Sequence, residues 1–276
     1  PYLFMLRLYS AGFNIPHPRK AHRGGEDSYL VSSPTNSTIA VADGVGGWET
    51  KGVNPRAFAD EMLSKTYFVM KNGVLDPKMG ITASFPELSQ VGSATFCMGK
   101  MNSEGIFRVA NIGDSGFMVI RDKQILIESA EHQHDFNYPY QLGIGEDGRP
   151  HGTDRPQDAQ QYVIQLEKGD IIVMATDGFF DNVWPKEVLA YLDSHAPNPK
   201  ELSKGLASLA YEESQKKDNF VPFFQRAKEA KKPKKPKKAR SDPGIMTKRM
   251  TKMNSVAFFI EKTNCSKEII PLLKTI

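Results

Sequence analysis

The 276 residues carry 36 Lys and Arg against 32 Asp and Glu, with 39% hydrophobic and 25% charged content. This is the balance of an ordinary globular chain with one sizeable core and room for a second small domain. No apolar run approaches the roughly 18 residues of a membrane span, and Cys97 and Cys265 alone exclude a disulfide framework and fit a reducing compartment. Each cysteine reads as a small buried hydrophobe, since neither lies in a Cys-His or Cys-x-x-Cys setting. The apolar first eight residues are too short for a secretory core, and the chain opens on Pro1, as one would from which an upstream leader had been removed.

The net charge of +4 is local. Residues 228–240, KEAKKPKKPKKAR, hold eight Lys and Arg against one Glu, so this tract contributes +7 and the rest sums to −3. A Lys-Pro repeat neither buries apolar surface nor forms a regular helix, so residues 228–254 are expected to be a solvated, extended insertion. Nucleic acid, nuclear-import machinery or an anionic membrane is the alternative partner for 228–240.

In chain order, residues 2–10 alternate as a strand, and 12–23 read as a loop rich in Pro, His and basic residues. In GGEDSYLVS, Glu26 and Asp27 precede a short strand. TIAVADGVGGW, residues 38–48, begins as a buried strand and breaks at Asp43-Gly44, where a carboxylate and a turned carbonyl can face a cation or simply form a turn. Asn54-Pro55 opens a helix whose apolar face is Phe58, Met62, Tyr67 and Met70. Residues 72–90 look irregular.

Four strands, 92–99, 106–112, 116–121 and 124–128, are expected to form an antiparallel meander, with NIGDSG as a turn that places Asp114 at a strand end. In the loop 131–148, His132 and His134 lack a helical zinc-ligand spacing. Strands 161–166 and 170–175 are expected to pair about Lys168-Gly169, the second ending in ATDGFFDN with Asp177 and Asp181. Helices over 185–192 and 200–216 and a last strand over 255–261 complete the chain.

Strands in runs with helices gathered between them favour an α+β sandwich over a Rossmann-like sheet. No Walker loop, G-x-S-x-G elbow or kinase signature is present. What remains is acidic: Glu26, Asp27, Asp43, Asp114, Asp177 and Asp181 each lie at a strand boundary, which is how hard oxygen ligands for Mg²⁺ or Mn²⁺ can be gathered at one end of a sandwich.

GGEDSYLV, VADGVGGW, GSATF, ANIGDSGFMVIRD, QHDFNYPYQLG and ATDGFFDN, in that order, resemble the PPM-type (type 2C) metal-dependent protein Ser/Thr phosphatases, most closely their mitochondrial and plant-organellar branch. The resemblance runs from about residue 4 to about residue 230. It implies a single domain, 1–276, built as a four-layer α-β-β-α sandwich with two antiparallel sheets and metals at one end. It implies two Mn²⁺ or Mg²⁺ ions and a weaker third. Asp43 would bridge the ions with Gly44 giving its carbonyl, Glu26 and Asp177 would each bind one, and Asp27 would orient water. Asp114 and Asp181 would serve the third, and Arg23 would clamp phosphate, one residue closer to Glu26 than the family's usual arginine.

A bridging water activated by the metals would then hydrolyse phosphoserine or phosphothreonine on a phosphoprotein substrate. The resemblance also implies a monomer in a mitochondrial or other organellar matrix, with cytoplasm or nucleus as the alternative. Three departures stand out. Val45 replaces a family His and Gly116 a family Arg, both as in the organellar branch. Lys252 stands where the family has its last metal-ligand Asp, which opens the alternatives of a weakened pseudophosphatase acting as a binding module, or an adaptor working through the lysine tract.

Overall fold

Among the described residues, three separate clusters of buried apolar side chains define the layers. The computed structural model describes residues 4–216, 220–230 and 253–264; for residues 4, 5 and 253–264 this means the backbone alone. Strands β2 (Asp27–Val31), β3 (Thr38–Asp43), β5 (Phe96–Met101), β6 (Ile106–Ile112) and β12 (Gln160–Gln165) form one antiparallel sheet, ordered β12-β6-β5-β3-β2. The second antiparallel sheet is ordered β1-β14-β13-β7-β8, from β1 (Phe4–Ile15), β7 (Gly116–Arg121), β8 (Gln124–Glu128), β13 (Ile171–Ala175) and β14 (Met253–Asn264).

Alternation along each strand sends successive side chains to opposite faces. From β3, β5 and β6, residues Ile39, Val41, Cys97 and Val109 join Phe117, Val119, Ile172 and Met174 from the other sheet in the central cluster. The intervening residues Ala40, Ala42, Met98 and Ala110 face outward and pack under α1 (Pro55–Lys71) and α2 (Pro77–Ser84). On the far side, Met118, Ile120 and Val173 pack under α3 (Asp177–Phe180), α4 (Pro185–Ser194) and α5 (Pro199–Gln215). The layers are therefore α-β-β-α, as expected. Small ribbons, β4 (Gly92–Ala94) with β11 (Leu142–Ile144) and β9 (Gln133–Asp135) with β10 (Tyr138–Pro139), extend one edge, and α6 (Pro222–Ala230) follows α5.

Several local expectations are corrected. Residues 72–90 are not irregular: Asp76 caps α2, its Oδ1 accepting from the Lys78 amide at 2.8 Å, with Pro77 at the first helical position. The region 12–23 is not all loop, since β1 runs to Ile15 and Pro18–Arg23 form a 3-10 turn.

The four-strand meander is two hairpins in different sheets. β6 pairs with β5 and β12, whereas β7 pairs with β13 and β8, so residues 113–115 cross from one sheet to the other. The crossing turns on Gly113 at φ 103, where a Cβ would lie 2.6 Å from the Thr95 side chain. β12 and β13 likewise do not pair; β13 lies between β7 and β14. Finally, α6 takes in residues 228–230 and β14 takes in 253 and 254, so these five belong to regular elements rather than to the basic insertion. Residues 231–252, and Cys265, lie outside the described residues.

Candidate active site

The acidic residues singled out by the sequence are buried: Glu26, Asp27, Asp43, Asp114, Asp177 and Asp181. Asp27 opens β2 and Asp43 closes β3, and the antiparallel register sets them directly opposite one another. Two carboxylates in one cross-strand pair repel and destabilise the pair unless a proton, a hydrogen-bond donor or a cation offsets the charge. Asp177 is the first residue of α3, separated from β13 by the N-cap Thr176 alone, and Asp181 is the C-cap of that helix. Asp114 sits in the inter-sheet crossing, so the group draws from both sheets.

Backbone geometry at Asp43 is fixed from two sides. Its amide donates to Thr95 Oγ1 at 3.0 Å and its carbonyl accepts from the Thr95 amide at 2.9 Å. Thr95 Oγ1 is also 2.7 Å from Ser115 Oγ, which ties the GSATF segment to the DSG segment. Gly44 donates to the Glu26 carbonyl at 3.3 Å, and Val45 to that of Ser93 at 2.8 Å. Trp48 Nε1 donates to Ser93 Oγ (2.7 Å), Ser93 Oγ to Gln141 Oε1 (2.6 Å), and the Gln141 amide to Asp154 Oδ2 (3.0 Å). His134 Nε2 bonds the other Asp154 oxygen at 2.8 Å. His132 and His134 each stack on Tyr140 at 3.7 Å, an aromatic sandwich and not a metal pair.

Burial, reinforced by the negative charge of Asp43 and Asp181, pushes the Asp114 acid up to about 8. Burial raises Asp177 well above its ordinary value, with Asp43, Asp114 and Asp181 adding to the effect. Asp181 is pushed up to about 7 by burial, against the opposing pull of Arg226. These directions show that Asp43, Asp114, Asp177 and Asp181 share one poorly hydrated region and sense each other's charge.

Sequence reasoning missed the basic partners. Arg226 on α6 bonds Asp181 through Nη2 and lies 2.9 Å from Glu131 through Nε. It borders a cavity of about 200 Å³ walled by Asp114, Glu128, Glu131 and Trp184. Lys20 lies 2.5 Å from Glu26, and Arg23 pairs with Glu49 at the rim rather than with the central carboxylates. A cluster of four basic residues in PRKAHR was the visible signal for Lys20; Arg226 gave none.

Among the described residues no three Asp, Glu, His or Cys side chains form a ready-made metal cage. The fit to a hard divalent cation rests on donor chemistry: carboxylates that raise one another's affinity for positive charge, and a buried Asp177 Oδ1 that meets no hydrogen-bond donor among the described residues. Lys252 lies outside the described residues. β14 pairs Ser255 with Ala175, two residues before Asp177, so the strand begins at this end of the sheet.

A family model described as stage II sporulation protein E (SpoIIE) matches residues 38–220. The structure of the photosystem II phosphatase PBCP superposes with a TM-score of 0.78 at 32% identity, over 91% of this chain and 97% of that one. The chain belongs to the PP2C-type (PPM) protein phosphatases. Among curated PP2C relatives, probable protein phosphatase 2C 1 of Oryza sativa subsp. japonica is 37% identical, over 72% of this chain and 59% of that protein. The protein phosphatase PTC7 homolog fig of Drosophila melanogaster is 39% identical, over 65% and 61%. The chain thus spans about three fifths of the length of these two relatives. The PP2C fold is shared at greater distance by the catalytic domain of PstP, solved in complex with 2 manganese ions, at 14% identity and a TM-score of 0.58, over 94% of this chain and 99% of that one.

Proposed function

We propose that this chain hydrolyses phosphoserine and phosphothreonine on proteins with the help of two divalent cations, Mn²⁺ or Mg²⁺. The observation that carries the reading is the buried group of Asp43, Asp114, Asp177 and Asp181, drawn from both sheets and mutually repelling, in a PP2C-type chain. Glu26, Asp43, the Gly44 carbonyl and Asp177 would hold the ions, with Asp114 and Asp181 available to a weaker third. When bound, the ions would neutralise phosphoryl charge and acidify water. Asp27, opposite Asp43 in the ladder, would accept a hydrogen bond from the attacking water and orient it. Arg23 would contact a phosphoryl oxygen. Val45 has no ionisable proton to give, so the leaving serine or threonine oxygen would take its proton from solvent.

No covalent phospho-enzyme is needed, since none of these residues must act as a nucleophile. Likeness to a photosystem II phosphatase supports an organellar setting for a phosphoprotein substrate. The second reading, a binding module with weakened turnover, rests on Lys252 and the position of β14's first residues. Phosphate release from a phosphoserine peptide, with and without Mn²⁺, separates the two. Turnover that depends on Mn²⁺ and falls at least about 10²-fold in Asp43→Asn, at unchanged circular dichroism, supports the enzyme; absence of turnover with retained partner binding overturns it. An anionic partner for 228–240 is tested by deleting residues 231–240 and measuring binding to RNA or anionic vesicles at two salt concentrations.

A further inference from the structure

The rim of the acidic site carries the opposite charge. The 3-10 turn Pro18–Arg23 holds Lys20, His22 and Arg23 in its last turn and has no acidic residue in its first turn. It faces a second 3-10 turn, Gly46–Lys51, which begins two residues beyond Gly44 and presses on the site: a Cβ on Gly46 would lie 2.6 Å from Glu26 Oε1. Between the two turns stands Glu49. Its Oε1 bonds Arg23 Nη2 and lies 3.3 Å from Lys20 Nζ, while the same ammonium reaches Glu26 Oε1 at 2.5 Å. The Glu26 side chain is fully buried, whereas Lys20, Arg23 and Glu49 keep 22%, 27% and 29% of their side-chain exposure. These three residues therefore stand between solvent and the buried carboxylates.

The contact is incomplete in one respect. Elsewhere in this chain Arg121 uses Nε and Nη2 together, at 2.8 and 2.7 Å, on the two oxygens of Asp170. Arg23 offers the same edge, yet only Nη2 is engaged; its Nε is buried and meets no acceptor among the described residues. One carboxylate oxygen is shared by two cations, and half of the guanidinium fork stays unused. A phosphomonoester dianion brings three oxygens and twice the charge, and can satisfy the fork and the ammonium at once.

We infer that Glu49 is an internal stand-in for the substrate's phosphoryl group: its carboxylate holds Lys20 and Arg23 until phosphoserine or phosphothreonine displaces it and takes both cations. The inference rests on the phosphatase reading and adds Lys20 as a second phosphate-binding cation and Glu49 as their competitor. It also names the ligand class. A phosphodiester, with one charge, displaces a carboxylate poorly, so monoesters are favoured.

The test is inorganic phosphate binding by calorimetry, with and without Mn²⁺, beside KM for a phosphoserine peptide. Glu49→Gln is expected to tighten phosphate and lower KM by about 3- to 10-fold, the scale of removing one charge-assisted competitor, and Lys20→Met to weaken both by about 10-fold. In the double variant the gain from Glu49→Gln shrinks, because one of the cations it frees is gone. If Glu49 merely braces the two turns, Glu49→Gln loosens the rim and phosphate binds more weakly or unchanged, which overturns the inference; a thermal melt of each variant checks that the fold is retained. A wild type that fails to hydrolyse the peptide refutes the phosphatase reading alone, because phosphate binding by calorimetry still reports the sign of the Glu49 effect.

Discussion

Gly44 is the point at which β3, the entry to β2 and the start of α1 come closest, and replacing it by alanine probes how tightly the site is held. A Cβ there would lie 2.6 Å from the Glu26 carbonyl oxygen and 2.6 Å from that of Pro55, and both neighbours are backbone. Ordinary contact begins at 3.4 Å, so the entry to β2 and the start of α1 must each move away from it by about 0.8 Å. Overpacking of this kind costs about 1–3 kcal/mol. At about 2–4 °C per kcal/mol for a domain of this class, the melting temperature of Gly44→Ala falls by about 2–12 °C. The displaced groups are Asp43, Gly44 and Glu26, three of the four proposed to hold the ions, and a misplacement near 1 Å costs about 10²-fold in rate. Gly47 supplies the control, since nothing lies within 4 Å of its added Cβ, and Gly47→Ala should stay within about 0.5 kcal/mol of wild type. Differential scanning calorimetry and phosphopeptide turnover, both well below the transition, read the two effects. Equal losses in the two variants, or a Gly44→Ala protein as stable and active as wild type, would refute the close-approach reasoning.

The pH dependence of the metal-free chain has a definite sign. Asp114 and Asp181 are raised to about 8 and about 7, with Asp177 raised as well, so the folded state holds protons that the unfolded chain gives up near its ordinary carboxylate values. That contribution to stability is present at low pH and is lost as pH rises through about 7 to 8. In chelator, melting temperature should therefore fall between pH 5.5 and 8, and Mn²⁺ should flatten the slope; a rise with pH in chelator would contradict the shared burial of these acids. Arg121→Ala strips both bonds from the buried Asp170 carboxylate, which also accepts from the Glu167 amide at 2.8 Å, and should cost about 2–4 kcal/mol by chemical denaturation. Asp43→Asn, by contrast, should leave the unfolding free energy within about 1 kcal/mol of wild type, because the Thr95 bonds to its backbone remain, while activity is lost.

Elements with a complete local signal were legible, and one signal was overlooked. Asn54-Pro55 announced α1, and its Oδ1 does accept from the Arg56 amide at 3.2 Å. The same cap-then-proline pattern stands at Asp76-Pro77, but Gly73, Gly80 and Pro86 around it suggested irregular chain. Gly80 is there for a tertiary reason: a Cβ would lie 2.8 Å from Met70 Cγ, so its absence lets α2 close on α1. No local pattern shows such a partner. The sheet crossing at residues 113–115 was hidden for a related cause. Phe107 and Val109 before it and Phe117 and Val119 after it all face the central core, which an ordinary hairpin and a change of sheet satisfy equally.

The carboxylates were legible because an acid at the end of an apolar strand breaks the pattern, and their meeting is explained by bonds that join the quoted motifs. Thr95 grips Asp43 and touches Ser115; Trp48 reaches Ser93, and Ser93 reaches Gln141. Segments up to 52 residues apart are thus fixed against one another by single side chains. Arg226, 45 residues from Asp181, belongs to no such set. Its pairing with Asp181 and Glu131 arises from where α6 docks, with Phe223 donating to the Asp181 carbonyl at 3.1 Å and packing on Phe136. A guanidinium placed there offsets part of the repulsion among the buried acids without entering the Asp27–Asp43 pair. On the proposed reading, with Arg226 at Asp181, the ions would act chiefly at Asp43 and Asp177, and that is why the first substitution to make in a search for turnover is at Asp43.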